Sequence, residues 1–131
     1  MNLLLDTQIL IWSAADTLPP AASRYILDES NHLFFSAASI WETVIKKGLG
    51  RTDFEIDPHL LYRGLLENGY QQISVSAQHT LLVGTLPVIH KDPFDRILLA
   101  QAVAESIPLL TADGILAEYP VPVILIKNAD R

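Results

Sequence analysis

Residues 2–7 read Asn2-Leu3-Leu4-Leu5-Asp6-Thr7, an apolar run too short for a helix and ended at once by a carboxylate and a hydroxyl. Uninterrupted leucines bounded in this way are the pattern of a strand buried on both faces, as in a parallel sheet, with Asp6 emerging at its carboxyl end. Pro108-Leu109-Leu110-Thr111 followed by Asp113 repeats the arrangement late in the chain. Open α/β sheets bind ligands outside the carboxyl ends of their strands. Two acids at two such ends therefore point to one rim.

Outward from these two segments, short apolar runs alternate with helical patterns, the order that builds a parallel sheet from βαβ units. Strands are expected at Asn2 to Leu5, Leu33 to Phe35, Tyr70 to Val75, Pro108 to Leu110 and Val123 to Ile126. Four of them run directly into side chains able to cap a following helix: Asp6 and Thr7, Ser36, Ser76, then Thr111 and Asp113. Thr7 to Ala15 reads as the first helix, and Pro19-Pro20 opens a second that ends near Glu29. Ala37 to Lys47 is expected to be a helix stopped by Gly48, and Asp57-Pro58 to open another that Gly69 closes. Asp92-Pro93 starts the most amphipathic helix, with Phe94, Ile97, Leu98 and Ala102 on its buried face and Asp95, Arg96 and Gln101 on the other. No repeat, linker or low-complexity tract divides the sequence, so one domain over residues 1–131 is expected.

With 131 residues, half of them apolar, the chain can bury a full core of its own. It has no cysteine, which excludes disulfides, thiolate nucleophiles and cysteine-held zinc, and leaves oxygen or the four histidines to hold any metal. No basic region precedes a long apolar stretch at the amino terminus, and the charge-free stretch from Asn68 to His90 carries Gln71, Gln72, Ser74, Gln78, His79 and Pro87, unlike a membrane span. A soluble, cytoplasmic protein is the expectation. The net charge of −6 argues against a protein that holds nucleic acid on a basic face alone.

Glu42 and Asp95 fall on helices that begin near the two strand-end acids. Carboxylates converging to about 5 Å repel by ~3 kcal/mol per pair at an effective dielectric of about 20, and a hard cation removes that cost. Asp6, Glu42, Asp95 and Asp113 thus outline a magnesium site. Each acid also has an ordinary explanation. Asp6 can cap the first helix, although Thr7 is able to do so itself; Glu42 stands four residues before Lys46, the spacing of a surface ion pair. Asp92 before Pro93 is a natural N-cap, which leaves Asp95, in the first turn of the helix, as the ligand and Asp92 as its support. Asp113-Gly114 can be a plain turn. None of these roles explains why Asp6 and Asp113 occupy successive strand exits. His32, His59, His79 and His90 are scattered and read as surface or outer residues, and Gly48 and Gly50 follow a helix rather than a strand, so no phosphate loop is present.

Four segments carry a resemblance. Leu4-Leu5-Asp6-Thr7, Ser36-Ala37-Ala38-Ser39-Ile40-Trp41-Glu42, His90-Lys91-Asp92-Pro93-Phe94-Asp95-Arg96 with Leu98-Leu99-Ala100-Gln101-Ala102, and Leu110-Thr111-Ala112-Asp113 occur in this order. Together they make nearly the whole chain resemble a PIN domain, and specifically a VapC-type toxin ribonuclease of a toxin-antitoxin system. The resemblance implies a three-layer α/β/α sandwich around a parallel five-stranded sheet of order 3-2-1-4-5. It also implies Mg²⁺ or Mn²⁺ held by the acids at Asp6, Glu42, Asp95 and Asp113, with a supporting hydroxyl at Thr111, a homodimer, and a cognate antitoxin as inhibitor. Gln8, where the family would favour His, and Lys91, where it more often has Arg, are departures that leave every carboxylate in place.

Metal-assisted hydrolysis of RNA is the chemistry this implies. Lys46, Lys47, Arg51, Lys91 and Arg96 lie on the segments bearing Glu42 and Asp95 and are expected to hold RNA phosphates. Two other readings compete. A phosphatase could use Asp6 as a covalent nucleophile, but Gln8 and Ile9 stand where the second acid of that motif belongs. A catalytically silent interaction module could keep the fold without the chemistry.

Overall fold

In the computed structural model, residues 1–50 and 55–127 are described. The strands are β1 (Asn2–Leu5), β2 (His32–Ser36), β3 (Gln71–Ile73), β4 (Leu109–Thr111) and β5 (Val123–Leu125). The helices are α1 (Thr7–Ala14), α2 (Pro20–Ile26), α3 (Ala37–Gly48), α4 (Pro58–Glu67), α5 (Ala77–Val83) and α6 (Pro93–Glu105). The sheet runs β3-β2-β1-β4-β5 with every neighbouring pair parallel. This is the strand order that the resemblance implied.

The period-two alternation of side chains sorts β1 between two cores. Leu3 and Leu5 face Ile9, Leu10, Ala22, Phe35 and Leu65, the side covered by α1, α2 and α4. Leu4 faces Leu98, Leu99, Leu109 and Leu116, the side covered by α6. All three leucines of β1 are fully buried, which is why the run shows no polar alternation in the sequence. β4 divides the same way, Leu110 with the first core and Leu109 with the second. The order 2-1-4 makes the strand ends carrying Asp6 and Asp113 neighbours, and the backbone N–H of Asp6 donates to the Leu110 carbonyl at 3.0 Å.

Helix starts follow the capping residues. Ser36 accepts from the Ala38 N–H, Asp57 from His59, Ser76 from His79 in a reciprocal capping box, and Asp92 from Phe94 and Asp95. Several boundaries move from their expected places. β3 is shorter than Tyr70 to Val75, and β4 is shifted on by one residue to include Thr111. α2 ends at Ile26 rather than near Glu29, because Asp28 Oδ1 accepts from both the backbone N–H and the hydroxyl of Ser30 and turns the chain. Gly48 is the last residue of α3, and the left-handed backbone follows at Gly50. Gln101, expected on the polar face of α6, is fully buried, with its amide nitrogen 3.4 Å from both the Ser74 carbonyl and His79 Nδ1.

Two glycines of the α4 region give opposite expectations for one substitution. Gly64 lies inside α4 and Gly69 has φ +82°, and at neither would an added Cβ meet an atom within 4 Å. Gly64→Ala should therefore stabilise the protein by about 0.5–1 kcal/mol through helix propensity. Gly69→Ala should destabilise it by about 1 kcal/mol through backbone strain alone. Urea denaturation of the two variants checks the pair; a gain at Gly69 would contradict the assigned backbone.

Candidate metal centre

The carboxyl ends of β1 and β4 open into a cavity of 330 Å³ lined by Asp6, Thr7, Gln8, Trp12, Glu42, Lys46, Asp92, Asp95, Ala112 and Asp113. Five carboxylates and one ammonium thus share a small space. Asp6 is the N-cap of α1: its Oδ1 accepts from the Thr7 N–H at 2.7 Å. Its Oδ2 accepts from the Thr111 hydroxyl at 2.6 Å, and Thr111 Oγ1 in turn accepts from the Asp113 N–H at 3.1 Å. One short relay therefore joins two strand ends to both acids.

Thr7 leaves the capping to Asp6 and serves Glu42 instead. Its hydroxyl is placed to donate to Glu42 Oε1 at 2.7 Å and to Ser39 Oγ at 2.8 Å, one proton shared between the two acceptors. Glu42 does pair with Lys46, at 2.6 Å through Oε2, yet the contact is not a surface one, since only 4% of Glu42 is exposed. The same ammonium reaches Asp92 Oδ2 at 3.8 Å. Asp92 Oδ1 meanwhile caps α6, accepting from Phe94 N–H at 2.8 Å and Asp95 N–H at 3.3 Å.

Asp95 meets a residue that sequence reasoning set aside. His90 Nε2 lies 2.8 Å from Asp95 Oδ2, and among the described residues His90, Asp95 and Asp113 bring donor atoms within 4.8 Å of one another. The only hint in the sequence was the position of His90 two residues before the Asp92-Pro93 helix start. Ser39 was missed likewise, and Trp12 and Gln8 line the cavity one face of α1 further on.

The five expected basic residues scatter. Lys46 is in the pocket; Lys47 is exposed beside Asp57; Lys91 is exposed on a separate apolar cleft with Trp41 and Phe94, whose rings meet edge to face at 5.1 Å. Arg96 neither pairs with Asp92 nor points into the cavity: its guanidinium donates to the Val83 carbonyl at 3.0 Å and the Pro87 carbonyl at 2.9 Å. Arg51 lies outside the described residues.

Burial and mutual repulsion disfavour the ionised forms of two of the pocket's acids. Burial pushes Asp6 up from 3.8 to about 6; the Thr111 hydrogen bond opposes this, Glu42 adds to it, the Thr7 N–H opposes it and Asp113 adds to it. Asp95 is pushed from 3.8 to about 7 by burial and then by Asp6, Asp92 and Glu42, against the hydrogen bond from His90. Oxygen donors of like charge held this close fit a hard divalent cation. Asp6, Glu42, Asp95 and Asp113 all line this pocket.

The profile of the PIN domain family matches residues 3–122. No curated protein matches the chain. Among solved structures, a chain in VapBC2 from Rickettsia felis bound to a DNA fragment from its promoter is 19% identical, with 96% of this chain and 98% of that one covered and a TM-score of 0.71. VapBC-1 from nontypeable Haemophilus influenzae is 18% identical over 95% of this chain and 98% of that chain, with a TM-score of 0.62. VapC20 of Mycobacterium tuberculosis, a Sarcin-Ricin loop cleaving toxin, is 12% identical over 89% of this chain and 95% of that one, with a TM-score of 0.63. At these identities the likeness is one of fold.

The raised Asp95 gives a pH test with a definite sign. A carboxyl whose folded pKa is about 7 against 3.8 disfavours the fold when ionised, so its contribution is full below 3.8 and is lost as pH rises through 7. Asp95→Asn should therefore stabilise the metal-free protein by about 2 kcal/mol at pH 8, and by clearly less at pH 5. Thermal melts in chelator at both pH values measure this. An equal gain at the two would mean that charge is not the cause.

Proposed function

The chain belongs to the PIN domain family, and we propose that it is an endoribonuclease toxin of the VapC type, dependent on Mg²⁺ or Mn²⁺ and inhibited by a cognate antitoxin. The observation that carries this reading is the 330 Å³ pocket in which five carboxylates share one ammonium, with Asp6 and Asp95 both raised in pKa. Such a site is costly to the fold and useful only with a cation in it. The whole of residues 1–131 is read as one such domain.

Asp6, Glu42, Asp95 and Asp113 are the residues assigned to hold the ion. Held by these acids, a divalent cation would supply an activated water and would neutralise charge at the phosphate. The chain's own part is orientation. Thr111 and Thr7 fix Asp6 from both oxygens, Thr7 also fixes Glu42, and Asp92 sets the start of α6 so that Asp95 faces the pocket. With each oxygen of Asp6 already accepting a short hydrogen bond, its geometry suits a held ligand better than a nucleophile in a phosphatase.

The likeness to VapC20, a Sarcin-Ricin loop cleaving toxin, supports a cleaving activity, and the VapBC structures support a protein partner. Exposed Trp41, Leu81 and Val88, with a mean hydropathy of +0.27, support a homodimer or a covering partner. No helix among the described residues is long and apolar enough to cross a membrane, and the cytoplasm is the proposed location. Of the assigned RNA contacts, Lys47 and Lys91 are exposed, whereas Lys46 and Arg96 act locally on Glu42 and on backbone carbonyls.

Cleavage of single-stranded RNA with added Mg²⁺, then with EDTA, tests the reading. Asp6→Asn and Asp113→Asn should each lower the rate more than about 100-fold, Thr111→Val about 10–100-fold, and Asp92→Asn least, since Asn also caps. Undiminished cleavage by the first two variants, or cleavage indifferent to EDTA, would sink it. Separately, RNA affinity measured over several salt concentrations in Ca²⁺ should show its salt slope reduced by about 0.7 for each of Lys47→Ala and Lys91→Ala. An unchanged slope in the double variant would place the RNA path elsewhere.

A further inference from the structure

We infer that His90 is a nitrogen ligand of this centre, forming with Asp95 and Asp113 a mixed position that takes Mn²⁺ or Co²⁺ in preference to Mg²⁺. The inference rests on the reading of the acidic pocket as a divalent-ion site, and it adds a residue outside the four acids.

The spacing comes first. An octahedral ion with ligands at about 2.1 Å sets those ligands about 3 Å apart when adjacent and about 4.2 Å apart when opposite. His90 Nε2 lies 2.8 Å from Asp95 Oδ2, and the donor atoms of His90, Asp95 and Asp113 all fall within 4.8 Å of one another. His90 Nε2 and Asp95 Oδ2 already have the separation of adjacent ligands on one ion, and an Asp113 oxygen belongs to the same 4.8 Å group. Asp6 and Glu42 in the same pocket are oriented by hydrogen bonds, each of their oxygens accepting one of 2.7 Å or less from Thr7, Thr111 or Lys46.

The placement of His90 is built rather than incidental. Its backbone N–H donates to the Tyr119 hydroxyl at 2.7 Å, and its carbonyl accepts from Tyr119 at 3.3 Å and from Arg96 at 3.5 Å. Tyr119 is only 4% exposed, and Arg96 also donates to its hydroxyl at 3.3 Å and to the Val83 and Pro87 carbonyls of the same segment. A buried phenol and a guanidinium thus fix the chain at the residue whose ring meets Asp95. This accounts for an arginine that contributes nothing to the cavity itself. The donor chemistry decides which ion benefits. Imidazole adds affinity for Mn²⁺, Co²⁺ and later ions, whereas Mg²⁺ favours oxygen.

The test uses tag-free full-length protein loaded with Mn²⁺. Electron spin echo envelope modulation should show nitrogen coupling to the bound ion in the wild type and in His59→Ala, and lose it in His90→Ala. By titration calorimetry, His90→Ala should weaken Mn²⁺ binding about 10–100-fold and Mg²⁺ binding less than about 3-fold. A melt of metal-free His90→Ala establishes that it is folded, and the wild-type spectrum needs no variant at all. Mn²⁺ bound without nitrogen coupling, or an equal loss for both ions, would reduce His90 to a hydrogen-bond partner of Asp95 and overturn the inference while leaving the metal site standing. No Mn²⁺ binding by the wild type would overturn both.

Discussion

The hydrogen bond from Thr111 to Asp6 joins positions separated by 105 residues at the point where the sheet reverses its order. Much of the pocket depends on it. Asp6 ends β1, caps α1 and receives Thr111 from β4, so one carboxylate fixes two strand ends and a helix start. Moving β4 in register by a residue would turn Thr111 away and remove Asp113 with it, because strand side chains alternate faces. The buried leucines on either side keep that register: Leu109 and Leu110 enter opposite cores, and a slip would exchange them.

A site of this kind sets stability against chemistry. The same burial that holds Asp6 and Asp95 still raises the cost of ionising them, and neighbouring acids raise it further. The protein offsets part of that cost with the Thr111 hydroxyl and the Thr7 N–H at Asp6 and with His90 at Asp95, not with apolar packing. It is a polar network that only works when complete.

The sheet and the acids were legible because they depend on local pattern. Leu3-Leu4-Leu5 announces a doubly buried strand, and Ser36, Asp57, Ser76 and Asp92 announce helix starts that the structure reproduces. Asp6, Asp95 and Asp113 could be placed near one rim because strand ends and first helical turns have known directions, whereas Glu42 stands in the second turn of α3, where no such rule applies. What stayed hidden depends on contacts between distant segments. Nothing local says that Thr7 turns to Glu42, that Arg96 folds back on residues 83–90, that Gln101 is buried against Ser74 and His79, or that Tyr119 braces His90. An arginine beside an acidic pair reads as a phosphate contact until its partners are seen to be carbonyls. The ends of α2 and β3 moved because a side-chain turn such as that of Asp28 and Ser30 competes with the helix at close to equal energy.

The Lys46 ammonium between Glu42 and Asp92 means that the pocket never faces water as a bare anionic hole. Uptake of a divalent ion there would be an exchange, in which the ion displaces the amine or shares its carboxylates. The observed affinity would then be a difference between two cation-binding equilibria, with the lysine as an intramolecular competitor tethered at high effective concentration. Length and flexibility of that one side chain, as much as the carboxylates, would set the ion concentration at which the centre fills.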